Sequence, residues 1–241
     1  MLKLNDKIAV VTGASSGVGR AIALGLAKQG TKVCLLGRNM NALEAVNEVA
    51  KLTALGSKSH QTDFIVDGDI ERIKECIEHE FGCVDILIHS AGILTMGTVE
   101  CSSVDDFDIQ YRTNVRAPYL LTQALLPMIK SRQGQIVFLN SSVGLNAKGT
   151  LGQYAASKHA LKALADSLRE EVNADGIRVL SVFLGRTATP MQVKIHEIEG
   201  REYQVEKLIQ PGNIAAIVIN ALTLPYTVEV TDISMRPLAK L

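Results

Sequence analysis

Two side chains in the stretch Gln153-Tyr154-Ala155-Ala156-Ser157-Lys158 have the types and the spacing needed for proton transfer. Residues four apart share one helix face. A phenol titrates near ~10, too high for an efficient base at neutral pH, and a neighbouring ammonium stabilises the phenolate and lowers that value. Tyr154 beside Lys158 is then a tunable acid/base, an arrangement worth roughly two to four orders of magnitude in rate. Thirteen residues before Tyr154, Ser141 closes the run Ile136-Val137-Phe138-Leu139-Asn140. A hydroxyl at the carboxyl end of a strand can hydrogen-bond a carbonyl oxygen whose charge grows in the transition state, and Ser142 is an alternative donor. Each residue also has a plainer reading. Tyr and Lys at this spacing are common on helix surfaces, and a Ser closing a strand is often a turn former.

A second constellation concerns a phosphate-bearing ligand. Thr12-Gly13-Ala14-Ser15-Ser16-Gly17-Val18-Gly19 joins a β-branched run to a helical one. Small residues here let the backbone turn sharply and approach a pyrophosphate, whose charge faces the free N–H groups and positive end of a helix. Gly13, Ser15, Ser16, Gly17, Val18 and Gly19 are therefore candidate dinucleotide contacts. The spacing is GxxxGxG rather than the GxGxxG of the commoner fingerprint. The following strand ends Leu36-Gly37-Arg38-Asn39, with no carboxylate to meet ribose hydroxyls. A guanidinium offers charged donors to a 2′-phosphate, so Arg38 points to NADP(H) over NAD(H). Asp63, at the end of the third strand, can accept from an adenine amino group or act as a turn residue.

Positioning these groups requires alternating elements. Strands are expected at Ile8–Thr12, Lys32–Leu36, Ser59–Asp63, Val84–His89, Gln135–Asn140, Arg178–Leu184 and Val228–Met235; most read as nearly continuous Val/Ile/Leu, the mark of parallel strands covered on both faces. Helices are expected at Gly19–Gln29, Met40–Leu55, a third segment with Ile70, Ile73, Ile77 and Phe81 on one stripe, Val104–Lys130, Gln153–Ala174 and Pro211–Leu224. Pro118 and Pro127 should kink or interrupt the long one. The pattern predicts a single α/β domain over residues 1–241, a Rossmann-like doubly wound sheet of about seven parallel strands with helices on both faces. Ligands in such sheets bind beyond the strands' carboxyl ends, where strand order reverses.

Composition narrows the function classes. The 25 basic and 25 acidic residues cancel, and no long basic run suggests nucleic acid. No run of eighteen apolar residues suggests a membrane span. Cys34, Cys76, Cys83 and Cys101 form no CxxC pair and lack zinc-type spacing, so no metal is expected. A cytoplasmic setting follows by default.

Taken together the motifs resemble the compact single-domain branch of the short-chain dehydrogenase/reductase family. They occur in order along essentially the whole chain: TGxxxGxG at Thr12–Gly19, an NNAG-like His89-Ser90-Ala91-Gly92, Asn114, Ser141 and YxxxK at Tyr154–Lys158. The resemblance implies that Tyr154 is the general acid/base and that Ser141 orients and polarises the carbonyl. Lys158 would hold the nicotinamide ribose and depress the tyrosine, and Asn114 would anchor a water in a proton relay. Ala91, Gly92, Tyr154, Lys158, Gly185, Thr187 and Thr189 are implied cofactor contacts, and the basic residue at Arg38 again implies NADP(H). Two departures stand out: His89 replaces the family's first Asn, and Leu184 replaces the Pro of its Pro-Gly, leaving Gly185 to give the nicotinamide room.

The segment Arg186–Gln210 is expected to fold over the substrate, with Leu145 and Asn146 lining the pocket beside Ser141. An NADP(H)-dependent oxidoreductase acting on a small carbonyl or alcohol is the leading reading. A 3-oxoacyl-ACP reductase, with Lys148 and Arg186 at a basic entrance, is the alternative, and a non-catalytic NADP(H) sensor a remote one. The resemblance implies a homodimer or homotetramer paired through the long helices.

Overall fold

The computed structural model describes residues 2–238. Seven parallel strands form one sheet, in the order β3-β2-β1-β4-β5-β6-β7. They are β1 (Ile8–Thr12), β2 (Lys32–Gly37), β3 (Lys58–Gln61), β4 (Ile86–His89), β5 (Gln135–Ser141), β6 (Arg178–Leu184) and β7 (Asp232–Met235). The helices are α1 (Gly17–Lys28), α2 (Met40–Lys51), α3 (Asp67–Phe81), α4 (Val104–Tyr111), α5 (Ala117–Lys130), α6 (Gly152–Val172), α7 (Pro190–Ile198) and α8 (Pro211–Leu222). The chain winds outward from β1 to β3, then returns to place β4 on the other side of β1. The carboxyl ends of β1 and β4 therefore flank the crevice where strand order reverses.

Strand alternation divides the interior into two layers. Ala9, Val11 and Ile88 pack with Ile22, Leu26, Leu43 and Val218 from α1, α2 and α8. Val10, Leu36 and Leu87 face the other way, toward Ile73, Leu121, Ile129 and Leu161 from α3, α5 and α6. The expected stripe on α3 is present: Ile70, Ile73 and Ile77 are buried, and Gly82 at φ 68° ends the helix in the left-handed conformation.

Three strands begin later or stop earlier than the residue pattern predicts, and side chains bond the backbone near each of those ends. Asp85, expected inside β4, accepts from the Ile8 amide at 2.9 Å and from Lys7 and Arg132. Residues 228–231, expected in β7, are held instead by Arg178, which donates to the Val228 carbonyl, and by Glu229, which accepts from the Val179 amide at 3.0 Å. Asp63, expected to end β3, accepts from the Ile65 amide in a local turn. The Val104–Lys130 segment is helical throughout, but its interruption is a π-helical turn at Arg112–Arg116, not a break at proline. Pro118 lies at the start of α5, directly after that π-helical turn.

Candidate active site

A cavity of about 570 Å³ opens at the carboxyl ends of β1, β2, β4, β5 and β6. One end is the glycine turn. Gly13 has φ 64°, and a Cβ there would lie 2.9 Å from the Ala91 backbone. A Cβ on Gly19 would lie 2.4 Å from the Gly13 carbonyl oxygen. No other residue fits either position, so the β1–α1 turn is as tight as the backbone allows. Thr12 secures the neighbouring strand end: its hydroxyl accepts from the Ser90 and Ala91 amides, both at 3.0 Å. Ser16 caps α1 without a side-chain bond to its amides, so the helix start keeps donors for an anion.

All the sequence-predicted cofactor residues line this cavity: Gly13, Ser15, Ser16, Gly17, Val18, Gly19, Arg38, Asp63, Ala91, Gly92, Tyr154, Lys158, Gly185, Thr187 and Thr189. Arg38 is exposed at the rim beyond β2 with Asn39. The narrow turn, the uncapped helix start and the rim guanidinium fit a dinucleotide bearing a 2′-phosphate. Gly185 lines the cavity and also lies against the tail. The atoms a Cβ would meet there are Pro237 Cδ at 3.0 Å and Arg236 Cα at 3.2 Å, so its bareness admits the carboxy-terminal tail.

At the other end stand Ser141, Tyr154 and Lys158, on the cavity wall. Lys158 Nζ donates to the Leu139 carbonyl at 3.0 Å and lies 5.8 Å from the Tyr154 ring centroid. Asn140 locks the constellation: its Nδ2 donates to the Lys158 carbonyl at 3.0 Å, and its Oδ1 accepts from the Ser141 amide at 2.7 Å. Ser157 Oγ accepts from Asn114 Nδ2 at 3.0 Å. Asn114 is fully buried behind the wall, in the π-helical turn, and also exchanges hydrogen bonds with the Ile93 backbone, Nδ2 donating to its carbonyl and Oδ1 accepting from its amide, both at 2.9 Å. Its side chain thus ties α4–α5 to α6 and to the loop after β4.

Electrostatics differ from the simple expectation. Burial pushes the Tyr154 phenol up to about 12, while its hydrogen-bonding neighbour Ser141 works the other way. Burial also pulls the Lys158 ammonium down to about 8. Burial is the largest cause of both shifts, and the expected lowering of Tyr154 by Lys158 is not seen. His89 is buried and neutral, pulled down to about 3 by desolvation. Its Nε2 pairs with Thr122 Oγ1 at 2.8 Å and its ring stacks on Phe138. This linkage to α5 is what the residue contributes in place of an asparagine.

The substrate-side wall contains residues that spacing alone did not indicate. Expected lining by Leu145 and Asn146 is not observed: a 3₁₀ turn at Ser142–Gly144 carries them outward, and the wall is built by Ser142, Val143, Lys148 and Leu151. Within the segment after Gly185, Pro190–Ile198 forms α7, capped by Thr189, whose hydroxyl accepts from the Gln192 amide. A Cβ on Gly17 would lie 3.1 Å from Thr189 Cγ2, which sets the start of α7 against the glycine turn. At its far end Glu199 pairs with Arg186 at 2.6 Å. α7 is thus fastened at both ends along the cavity.

The family model described as short chain dehydrogenase matches residues 7–200. An uncharacterized oxidoreductase of Staphylococcus epidermidis is 34% identical over 238 residues, covering 98% of this chain and all of the relative. A solved alcohol dehydrogenase from Thermococcus sibiricus, complexed with 5-hydroxy-NADP, has TM-score 0.87 at 26% identity, covering 98% of both chains. A short chain dehydrogenase of Shigella flexneri complexed with NADP has TM-score 0.88 at 29% identity, over 96% of this chain and 98% of that one.

Proposed function

The chain belongs to the short-chain dehydrogenase family, and on that premise we propose that it is an NADP(H)-dependent oxidoreductase interconverting a carbonyl compound and its alcohol. The observation that carries this reading is the placement of Tyr154, Ser141 and Lys158 on one wall of the cavity whose other end is the glycine turn. Bound along that cavity, the nicotinamide supplies or accepts the hydride. The protein's own groups do the rest. Ser141 Oγ donates to the substrate oxygen and orients it. Tyr154 Oη gives that oxygen a proton in reduction, and its raised value keeps the phenol protonated, ready to act as an acid, at neutral pH. Lys158 holds its ammonium beside the phenol, where it steadies negative charge on Oη during transfer. Asn114 acts from behind the wall, holding Ser157 and the loop after β4 in place.

NADP(H) preference rests on Arg38 and on the lack of a carboxylate at the end of β2; relatives of this fold complexed with NADP support it. A homodimer or homotetramer joined through the outer faces of α4 and α5 belongs to the same proposal, because Phe107, Tyr111 and Tyr119 are exposed there. The experiment is a carbonyl screen following NADPH absorbance, with NADH in parallel and an acetoacetyl-carrier thioester among the substrates. We expect NADPH to be favoured at least tenfold in kcat/KM. Arg38→Ala should lower the NADPH value roughly 10- to 100-fold while leaving NADH within threefold. Equal use of the two nucleotides would reject the assignment of Arg38.

A further inference from the structure

Helix α4 buries a single residue, and that residue carries an amide: Gln110 is fully enclosed. A buried amide with idle polar atoms is destabilising, and here both ends are occupied. Gln110 Oε1 accepts from the Thr95 amide at 3.1 Å, while Nε2 donates to Thr95 Oγ1 at 2.6 Å and to Gln153 Oε1 at 3.1 Å. Gln153 Nε2 in turn donates to the Ser103 carbonyl at 2.8 Å, and Ser103 caps α4. These bonds close a ring through the loop after β4, α4 and the first turn of α6. Two members of the ring border the reacting end. Thr95 stands between Leu94 and Met96, which line the cavity, and Gln153 directly precedes Tyr154. The wall held in this way is apolar and open to a ligand. Leu94, Met96 and Leu151 are half-buried, and Leu94 and Leu151 pack against the cluster of Val143, Tyr154 and Ala155. Gly97 joins the two segments, its amide donating to the Thr150 carbonyl at 2.9 Å. Thr95, the polar side chain of this stretch, is engaged by Gln110 and does not line the cavity. A concave apolar face of this kind gains most from an apolar group that displaces its water.

We infer that the reacting carbon of the substrate bears an apolar substituent that lies on Leu94, Met96 and Leu151, and that Gln110 is the positioning residue holding this wall against Tyr154. The inference rests on the reading of the cavity as a carbonyl site and names the class of compound it takes, hydrophobic ketones and their secondary alcohols. Gln110 does not line the cavity; it acts through Thr95 on the wall and through Gln153 on the helix start that carries Tyr154.

The test measures binding independently of turnover. Calorimetry on the NADP⁺-loaded protein compares 2-butanol, 2-hexanol and 2,5-hexanediol. A fully buried methylene raises affinity about fourfold, so 2-hexanol is expected to bind at least about fivefold more tightly than 2-butanol. The diol, which brings a hydroxyl to the apolar wall, is expected to bind at least about threefold more weakly than 2-hexanol. Gln110→Met keeps the volume and removes all three bonds. It is expected to cut the gain from 2-butanol to 2-hexanol below about twofold, with 2-butanol and NADP⁺ affinities within about twofold of wild type. Gln153→Leu breaks the ring at a half-buried position and serves if the first variant does not fold; there the gain is expected to fall at least about twofold. The inference is overturned if 2-hexanol binds no more tightly than 2-butanol, or if the diol binds at least as tightly as 2-hexanol. It is also overturned if the variants keep the full chain-length gain, or if they weaken all three alcohols and NADP⁺ alike, the mark of a general structural role. A chain-length gain that depends on Gln110, in a protein that reduces no ketone in the NADPH screen, supports the wall and counts against the oxidoreductase reading alone.

Discussion

Lys158 is a buried cation whose only direct anchor is a carbonyl: 3.0 Å from Leu139 O, with no carboxylate paired to it among the described residues. Burial lowers its proton affinity to about 8 in the folded protein, against ~10.4 in the unfolded chain. The folded state therefore binds fewer protons than the unfolded state between those values, and the Lys158 contribution to stability rises with pH across that window. Relative to Lys158→Met, the wild-type protein should gain about 2–3 kcal/mol in unfolding free energy between pH 7 and pH 10, read from urea midpoints. Tyr154 opposes this only above pH 10, because its raised value makes the folded state the more protonated one from ~10 to about 12. A flat difference across pH 7–10 would mean that Lys158 is solvated. The gathering of Tyr154, Lys158 and Ser141 on one cavity was legible in the sequence from their types and spacing. The sign of the Tyr154 shift was not, because desolvation depends on burial that the motif itself does not encode.

At the scale of elements, α7 was hidden in a segment whose mixed apolar and charged residues carry no clean helical period. Its helix is set by local chemistry, the Thr189 cap and Pro190 in the first turn, and by the tertiary bond from Glu199 back to Arg186. The latter joins residues thirteen apart, and neither flags the other in the sequence. The half-buried ion pair should hold the far end of the helix closed. Glu199→Gln is expected to speed amide hydrogen exchange within Pro190–Ile198 roughly tenfold while moving Tm by no more than about 2 °C. Unchanged exchange would show that the helix is held by Ile195 and the glycine-turn contact instead. The π-helical turn was likewise invisible, since Pro118 drew attention to a proline break. What the turn does is set Asn114 against both Ile93 and Ser157, consistent with the tendency of π-bulges to occur at functional sites.

For the whole molecule, seven strand regions, their parallel sense and the position of the cleft could be read from Val/Ile/Leu runs alternating with longer helical segments. The ends of β3, β4 and β7 could not: Asp63, Asp85, Arg178 and Glu229 add side-chain bonds to the backbone there, which Val/Ile/Leu patterning does not encode. The exposed aromatic side chains of α4 and α5 carry the assembly prediction. Sedimentation of the wild-type protein should give a multiple of the 26.0 kDa chain, and Phe107→Glu combined with Tyr119→Glu should give the monomer; a wild-type monomer would contradict it. The central claim, that the cleft joins a dinucleotide site to a working acid/base, is tested most directly by one paired measurement on Tyr154→Phe. NADPH dissociation constant and turnover of the best carbonyl substrate are determined on the same preparation. NADPH affinity is expected within about threefold of wild type and turnover lowered at least ~100-fold. Turnover equal to that of the wild-type protein would contradict it.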